Sequence, residues 1–159
     1  MDQYNLDTEW NLWFHSITEN DWTNKSYQKL MTIRNLFDYQ LVINSFKQNH
    51  YQNGMFFIMK EDIFPTWEHP RNRQGCFLSF KVGSSQVMDE WKELLFRILT
   101  NNAFTDSRTC INGLSISPKK EFNIIKIWFS NKDPTNQSHF REFGESFKLS
   151  NSIYKEHNI

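Results

Sequence analysis

Net charge is what this chain lacks first: 18 lysines and arginines are matched by 18 aspartates and glutamates. Sequence-independent nucleic-acid binding needs a broad basic surface, so that class is disfavoured, whereas a small pocket with a few local cations is not. Cysteine is scarce. Cys76 and Cys110 form neither a disulfide framework nor a metal-ligand spacing, and a reduced compartment is the simple inference. No apolar run is long enough to span a bilayer. The opening residues, MDQYNLDTEW, lack the basic start and apolar block of a signal peptide. There is no P-loop, dinucleotide fingerprint or HExxH pattern. No local signature marks a nucleophile, and the five histidines show no ligand pattern with the cysteines. Carboxylate pairs such as Glu61–Asp62 and Asp89–Glu90 read as solvated charge. No catalytic residue, metal or cofactor is therefore expected. No repeat, low-complexity block or linker divides the chain, so residues 1–159 are read as one domain with a sizeable core.

What the chain does have is aromatic side chains, 16% of residues, including 15 Phe and 6 Trp. The central stretch is 55–82, MFFIMKEDIFPTWEHPRNRQGCFLSFKV. It reads as a buried strand at 55–59, an exposed loop carrying Pro65, Pro70, Asn72 and Gly75, and a second strand at 77–82. Trp67 and Glu68 sit together in that loop. The ring can fold back as a lid on the core, or it can serve as a stacking platform for a nucleobase. A carboxylate accepts two parallel N–H bonds, and guanine alone among the bases offers two adjacent N–H donors on its Watson–Crick edge. Trp-Glu followed by Arg71 and Arg73 thus suggests a guanine nucleotide with phosphates nearby.

Alternation of Trp10, Leu12 and Phe14 with Asn11, Trp13 and His15 predicts a strand over 8–15, with both tryptophans packed in the core. Trp22 falls in the polar loop 16–25, a second bulky ring without apolar neighbours. Thr32 is expected to cap a helix running to Lys47, with Leu36, Tyr39, Ile43 and Phe46 facing the core. Ile33 and Phe37 make a second stripe off that face, either a widening of the core stripe or an exposed patch for a partner. A loop follows at 48–54. A second helix is predicted at 86–100, with Val87, Met88, Trp91, Leu94, Leu95 and Ile98 buried and Glu93 and Phe96 on another face. Strands at 110–117 and 122–129 form a hairpin. On the second of these Phe122, Ile124, Lys126 and Trp128 share one face, while Ile125, Ile127 and Phe129 share the other. A third helix is predicted at 138–149 from Phe140, Phe143 and Phe147, and a last short strand at 153–154.

The ordered set of tryptophan motifs is distinctive: W-x-L-W-F at Trp10–Phe14, the loop Trp22, I-x-P-x-W-E at Ile63–Glu68, W-x-E-L-L at Trp91–Leu95 and I-x-I-W-F at Ile125–Phe129. It resembles the eukaryotic translation initiation factor 4E family, the mRNA cap-binding proteins, from about Leu6 to Tyr154. The resemblance implies an α+β domain, a curved antiparallel sheet backed by three helices on its convex face. It implies a 7-methylguanine base stacked between Trp22 and Trp67, read by Glu68 and the Trp67 backbone N–H, with Trp128 near the methyl group. Cap phosphates would fall to Lys119, which matches a family Arg, to Lys126, and to Arg73. Here Cys76 stands near a usual Arg, and Ile124 takes the place of a usual Lys. The family's dorsal surface binds helical peptides of scaffold proteins and repressors. It maps to Ile33, Phe37, Glu93 and Phe96, with Phe37 in place of a Trp and Lys92 in place of a Leu. The implied protein is a cytoplasmic, monomeric translation factor that is not an enzyme and needs no membrane. A cap-binding competitor without a scaffold, an interaction module that has lost the cap site and a cap-processing hydrolase are the competing readings.

Overall fold

The computed structural model describes residues 4–106, 109–133 and 135–157. The first strand, β1 (Asn5–Ser16), lies between β2 (Gln28–Asn35) and β3 (Gly54–Lys60), pairing antiparallel with both. The chain then adds β4 (Cys76–Gly83), β5 (Ile111–Pro118), β6 (Phe122–Phe129) and β7 (Ser152–Glu156). All seven join one curved antiparallel sheet in the order β2-β1-β3-β5-β6-β4-β7. The two-residue repeat divides the sheet's side chains into two populations. Trp10, Leu12, Phe56, Ile58, Leu78, Phe80, Leu114, Ile116, Ile125 and Ile127 point to one face and are buried in the main core. That face is covered by α1 (Leu36–Ser45), α2 (Gln48–Asn53) and α3 (Val87–Leu99), which add Val42, Tyr51, Trp91, Leu94, Leu95 and Ile98 to the same core.

Most predicted elements stand, and several expectations change. Residues 28–35 are a strand, so Thr32 caps nothing; its hydroxyl donates to Asn11 Oδ1 across the β1–β2 pair at 2.7 Å. The helix begins only at Leu36, where Asn35 Oδ1 accepts from the Asp38 N–H at 2.8 Å. Ile33 consequently belongs to β2. It pairs with Trp10 and is fully buried, so it cannot form part of an exposed dorsal patch. The expected loop at 48–54 holds the short α2, anchored by buried Tyr51.

The helix predicted at 138–149 does not form. Its place is taken by single 3₁₀ turns at Gln137–His139 and Leu149–Asn151 and by isolated bridges Phe104↔Phe140 and Phe143↔Phe147. Three α-helices are present among the described residues, but α2 takes the place of the expected C-terminal one. Gly144 explains the break: its φ of +64° suits glycine, and a Cβ there would lie 2.6 Å from Glu90 Oε1. Glu90 itself is nearly buried and accepts from the Glu145 N–H at 2.8 Å, so it organises this turn rather than being solvated charge.

Candidate functional site

The other sheet face carries a smaller apolar floor of Phe57, Met59, Ile63 and Trp128, with Trp13, Tyr27 and Met55 packed at its edges. No helix covers it. Two loops rise around it instead, and a cavity of about 400 Å³ opens between them. Its walls include Trp22, Trp67, Glu68, Lys126 and Trp128, five of the residues singled out from the sequence. Tyr27, Met55, Phe57, Pro65, Thr66, Ser115 and Ser117 complete the lining.

The loop between β3 and β4 is held by buried amide groups. Asn72, fully buried, donates to the carbonyls of Phe64 (3.1 Å) and Thr66 (2.8 Å). Asn112 on β5 donates to Asn72 Oδ1 at 2.9 Å and to the Arg71 carbonyl at 2.8 Å. Each buried amide thus adds a side-chain donor to loop carbonyls and has its own polar atoms paired in return. Gly75 lets the loop re-enter the sheet, since a Cβ there would meet the Phe129 carbonyl oxygen at 1.9 Å. The loop so fixed presents Trp67 and Glu68 outward, both exposed.

Trp22 comes from the β1–β2 loop and is half exposed. It stacks on His15, and both rings touch Tyr27. Trp128 is the floor: it is almost buried, and its indole N–H donates to Ser115 Oγ at 3.0 Å, which fixes the ring plane. Glu68 and Lys126 are the charged residues of the lining. Burial, with the Glu68 charge second, pushes the Tyr27 hydroxyl up to about 12. Lys126 lies over the Phe77 ring, Nζ to centroid 4.3 Å. Its pKa is lowered by burial first and then by the positive charges of Lys119 and Lys155. Lys119 is outside the cavity lining but close enough for that repulsion.

Arg73 is exposed and does not line the cavity. Arg71 is turned to Asp62 at 3.2 Å and Glu61 at 3.4 Å, so this pair of carboxylates holds a cation. On the helix side Phe37 and Phe96 are exposed, as expected for a docking patch. Tyr4 packs on Phe37 and Tyr39 on Phe96. Glu93 is half exposed and bonded to Arg97 at 2.7 Å.

Sequence reasoning missed His15, Tyr27, Asn72, Asn112 and Ser115 as site components. Asn72, Asn112 and Ser115 depend on partners distant in the chain, as with the 40 residues separating Asn72 from Asn112, whereas His15 and Tyr27 meet Trp22 only because the β1–β2 loop folds back over them. Among the described residues, no group of three or more His, Cys, Asp or Glu could hold a metal ion. No described helix is long and apolar enough to cross a membrane.

A curved antiparallel sheet backed by helices, with tryptophans from two loops around its open face, defines a fold with known counterparts. The family model described as eukaryotic initiation factor 4E matches residues 5–158, and the chain belongs to that family. The eukaryotic translation initiation factor 4E of Dictyostelium discoideum is 23% identical over 151 residues, covering 90% of this chain and 58% of the relative. The Candida glabrata factor is 21% identical over 134 residues, 80% of this chain and 64% of its own length. The chain thus spans about three-fifths of the length of the curated relatives it matches. Among solved structures, schistosome eIF4E complexed with m7GpppA and 4E-BP superposes with a TM-score of 0.74 at 20% identity, covering 85% of this chain and 76% of that one. Ascaris suum eIF4E-3 with m7G cap gives 0.72 at 16% identity over 85% and 78%. C. elegans eIF4E-3 with the 4E-binding protein Mextli and cap analog gives 0.71 at 20% identity over 80% and 75%.

Proposed function

We propose that this chain binds the 7-methylguanosine cap of mRNA through its open sheet face and acts as a translation initiation factor of the 4E family. The observation that carries the reading is the convergence of Trp22, Trp67, Glu68, Lys126 and Trp128, from separate segments, on one cavity. The base stacks between Trp22 and Trp67. Glu68 accepts the two adjacent N–H bonds of the guanine edge, and the Trp67 backbone N–H donates to the base carbonyl. Methylation gives the base a delocalised positive charge, so each indole adds a cation–π attraction that unmethylated guanine lacks. Trp128 packs near the methyl group. Lys126 takes the first phosphates with Lys119 behind it, and Arg73 is a peripheral contact. The chemistry is binding, with no reaction catalysed. Residues 1–159 act as one cap-binding domain, monomeric and cytoplasmic.

A scaffold initiation factor or a repressor peptide docks on the helix side, against Phe37 and Phe96 with Glu93 as acceptor. Two features favour a second reading, a cap-binding competitor with weak scaffold affinity. Phe37 lacks the indole donor of the residue it replaces, and Ile33 is buried. A pull-down with the dorsal peptide motif separates the two: wild-type capture supports the initiation factor, and loss of capture with cap binding retained supports the competitor.

The cap reading is tested by titrating tryptophan fluorescence with 7-methyl-GTP. Trp22→Ala and Trp67→Ala should each weaken binding by roughly 1–3 kcal/mol, the range for one base–aromatic stack. Glu68→Ala should be at least as damaging, because it leaves two guanine donors unpaired. Folded variants that bind like wild type would overturn the sandwich.

A further inference from the structure

His15 lies outside the tryptophan motifs, on the open face of β1, and its environment is specific. The imidazole is fully buried. It stacks on Trp22 with ring centroids 3.9 Å apart and planes 2° from parallel. Its Nδ1 is 2.8 Å from the Ser16 carbonyl and its Nε2 is 3.0 Å from the Asp21 carbonyl. Whichever nitrogen carries a proton therefore has a carbonyl to donate to. Asp21 immediately precedes Trp22, so one ring grips both the backbone before the tryptophan and the indole itself. Tyr27 closes the side of this stack, with its ring 4.7 Å from His15. Trp22 lines the cavity and His15 does not. The imidazole thus backs one face of the indole and leaves the other, with Trp22 53% exposed, as the stacking surface.

We propose that His15 is a positioning residue for Trp22, a pedestal that holds the indole in place before a flat ligand arrives. An unsupported tryptophan in a polar loop samples many rotamers. Apparent affinity falls with the fraction of molecules in the competent one. A pedestal removes that penalty by ordering the ring in the unbound protein. The ligand-binding part of this proposal rests on the cap reading; the ordering of Trp22 does not.

The experiment has two arms, with unfolding temperature confirming that each variant is folded. In the ligand-free protein, nitrogen relaxation at the Trp22 indole N–H is compared between wild type, His15→Ala and His15→Phe. The indole should be as rigid as backbone in wild type, mobile on the ps–ns scale in His15→Ala, and rigid again in His15→Phe, which stacks without polar atoms. Where His15→Ala does not fold, His15→Leu serves as the non-planar replacement. In the ligand arm, His15→Ala should weaken 7-methyl-GTP binding about two- to tenfold, the equivalent of one aromatic pair. His15→Phe should recover most of that loss. In a Trp22→Ala background the same substitution should have no further effect, since His15 acts only through Trp22. An indole equally rigid in His15→Ala and wild type would overturn the pedestal. So would an affinity loss that persists without Trp22. Failure of the wild-type chain to bind 7-methyl-GTP overturns the cap reading instead, and the ligand-free arm still decides the role of His15.

Discussion

The two faces of the sheet share the same strands and differ in almost everything else. On β6, Ile125 and Ile127 are fully buried beneath the helices, while Lys126 and Trp128, on alternate positions, line an open cavity. On β1, Trp10 is core, whereas His15 on the other face serves a loop tryptophan. The helix-covered face is continuous apolar packing, and its burial is the main source of stability. The open face has an apolar floor but is bounded by loops that polar groups hold in place. Similar aromatic side chains therefore answer to different tests. Beneath the helices they should control folding, and on the open face they should control binding.

The largest effect expected from this contrast is at Trp91. It is fully buried on α3, so Trp91→Ala should cost roughly 3–5 kcal/mol of stability. Trp67→Ala, at an exposed loop position, should change stability by no more than about 0.5 kcal/mol. Urea unfolding of both variants makes the comparison. Equal losses would erase the distinction between the faces.

The next largest effect concerns the loop's buried amide. Asn72→Ala removes the side-chain donor that bridges the Phe64 and Thr66 carbonyls, which keep one backbone N–H each, and takes the Oδ1 acceptor from the Asn112 amide; it should cost about 1–3 kcal/mol. Because those bonds set the loop carrying Trp67 and Glu68, 7-methyl-GTP affinity should fall as well. An unfolding curve and a titration on the same sample would show whether the two losses occur together.

A smaller effect should appear in the pH dependence of binding. The Lys126 pKa is lowered by burial and by neighbouring lysines, so its charge is lost at lower pH than that of an ordinary lysine. Phosphate binding needs the charged form. Affinity for 7-methyl-GTP should therefore decline with rising alkaline pH earlier in wild type than in Lys126→Arg, whose guanidinium stays charged. Superimposable alkaline profiles would remove Lys126 from the phosphate site.

The remaining effect is confined to acid pH, where it bears on stability. His157 packs against Trp128 and Phe77, and its Nε2 is buried with no hydrogen-bond partner among the described residues. Burial, then the charges of Lys126 and Lys132, push its pKa from 6.5 down to about 4. The folded value lies below the unfolded one, so the unfolded chain binds more protons between them. Stability from this group is complete above about 6.5 and is lost as pH falls toward about 4. His157→Phe should flatten that part of the stability profile; an unchanged slope would assign the acid sensitivity elsewhere.

Legibility in the sequence followed the same division between faces. Strands β1, β4 and β6 and helix α3 are readable because burial on the helix-covered face imposes a period, whereas β3 and β5, buried in continuous runs, are readable as short apolar or β-rich stretches bounded by polar loops. β2 is not: this edge strand has only Ile33 fully buried, and the helical spacing that begins at Leu36 drew the predicted helix too far back. Phe140, Phe143 and Phe147 mimic a helical stripe, yet they are placed by Phe80 and Phe104 and by the turn at Gly144. Trp22 and Trp67 stand out in the sequence because large rings in polar loops lack local apolar company, and with Glu68 they line one cavity in the fold. The groups that hold those loops, Asn72, Asn112 and His15, are polar residues whose importance appears only once the chain is folded.

The most direct test of the open face as a methylguanine site compares 7-methyl-GTP with GTP in fluorescence titrations of the wild-type chain and Trp67→Ala. The account predicts tighter binding of the methylated ligand by wild type, and a much smaller preference in Trp67→Ala, because one of the two cation–π partners is gone. Equal affinity of wild type for the two ligands would contradict it.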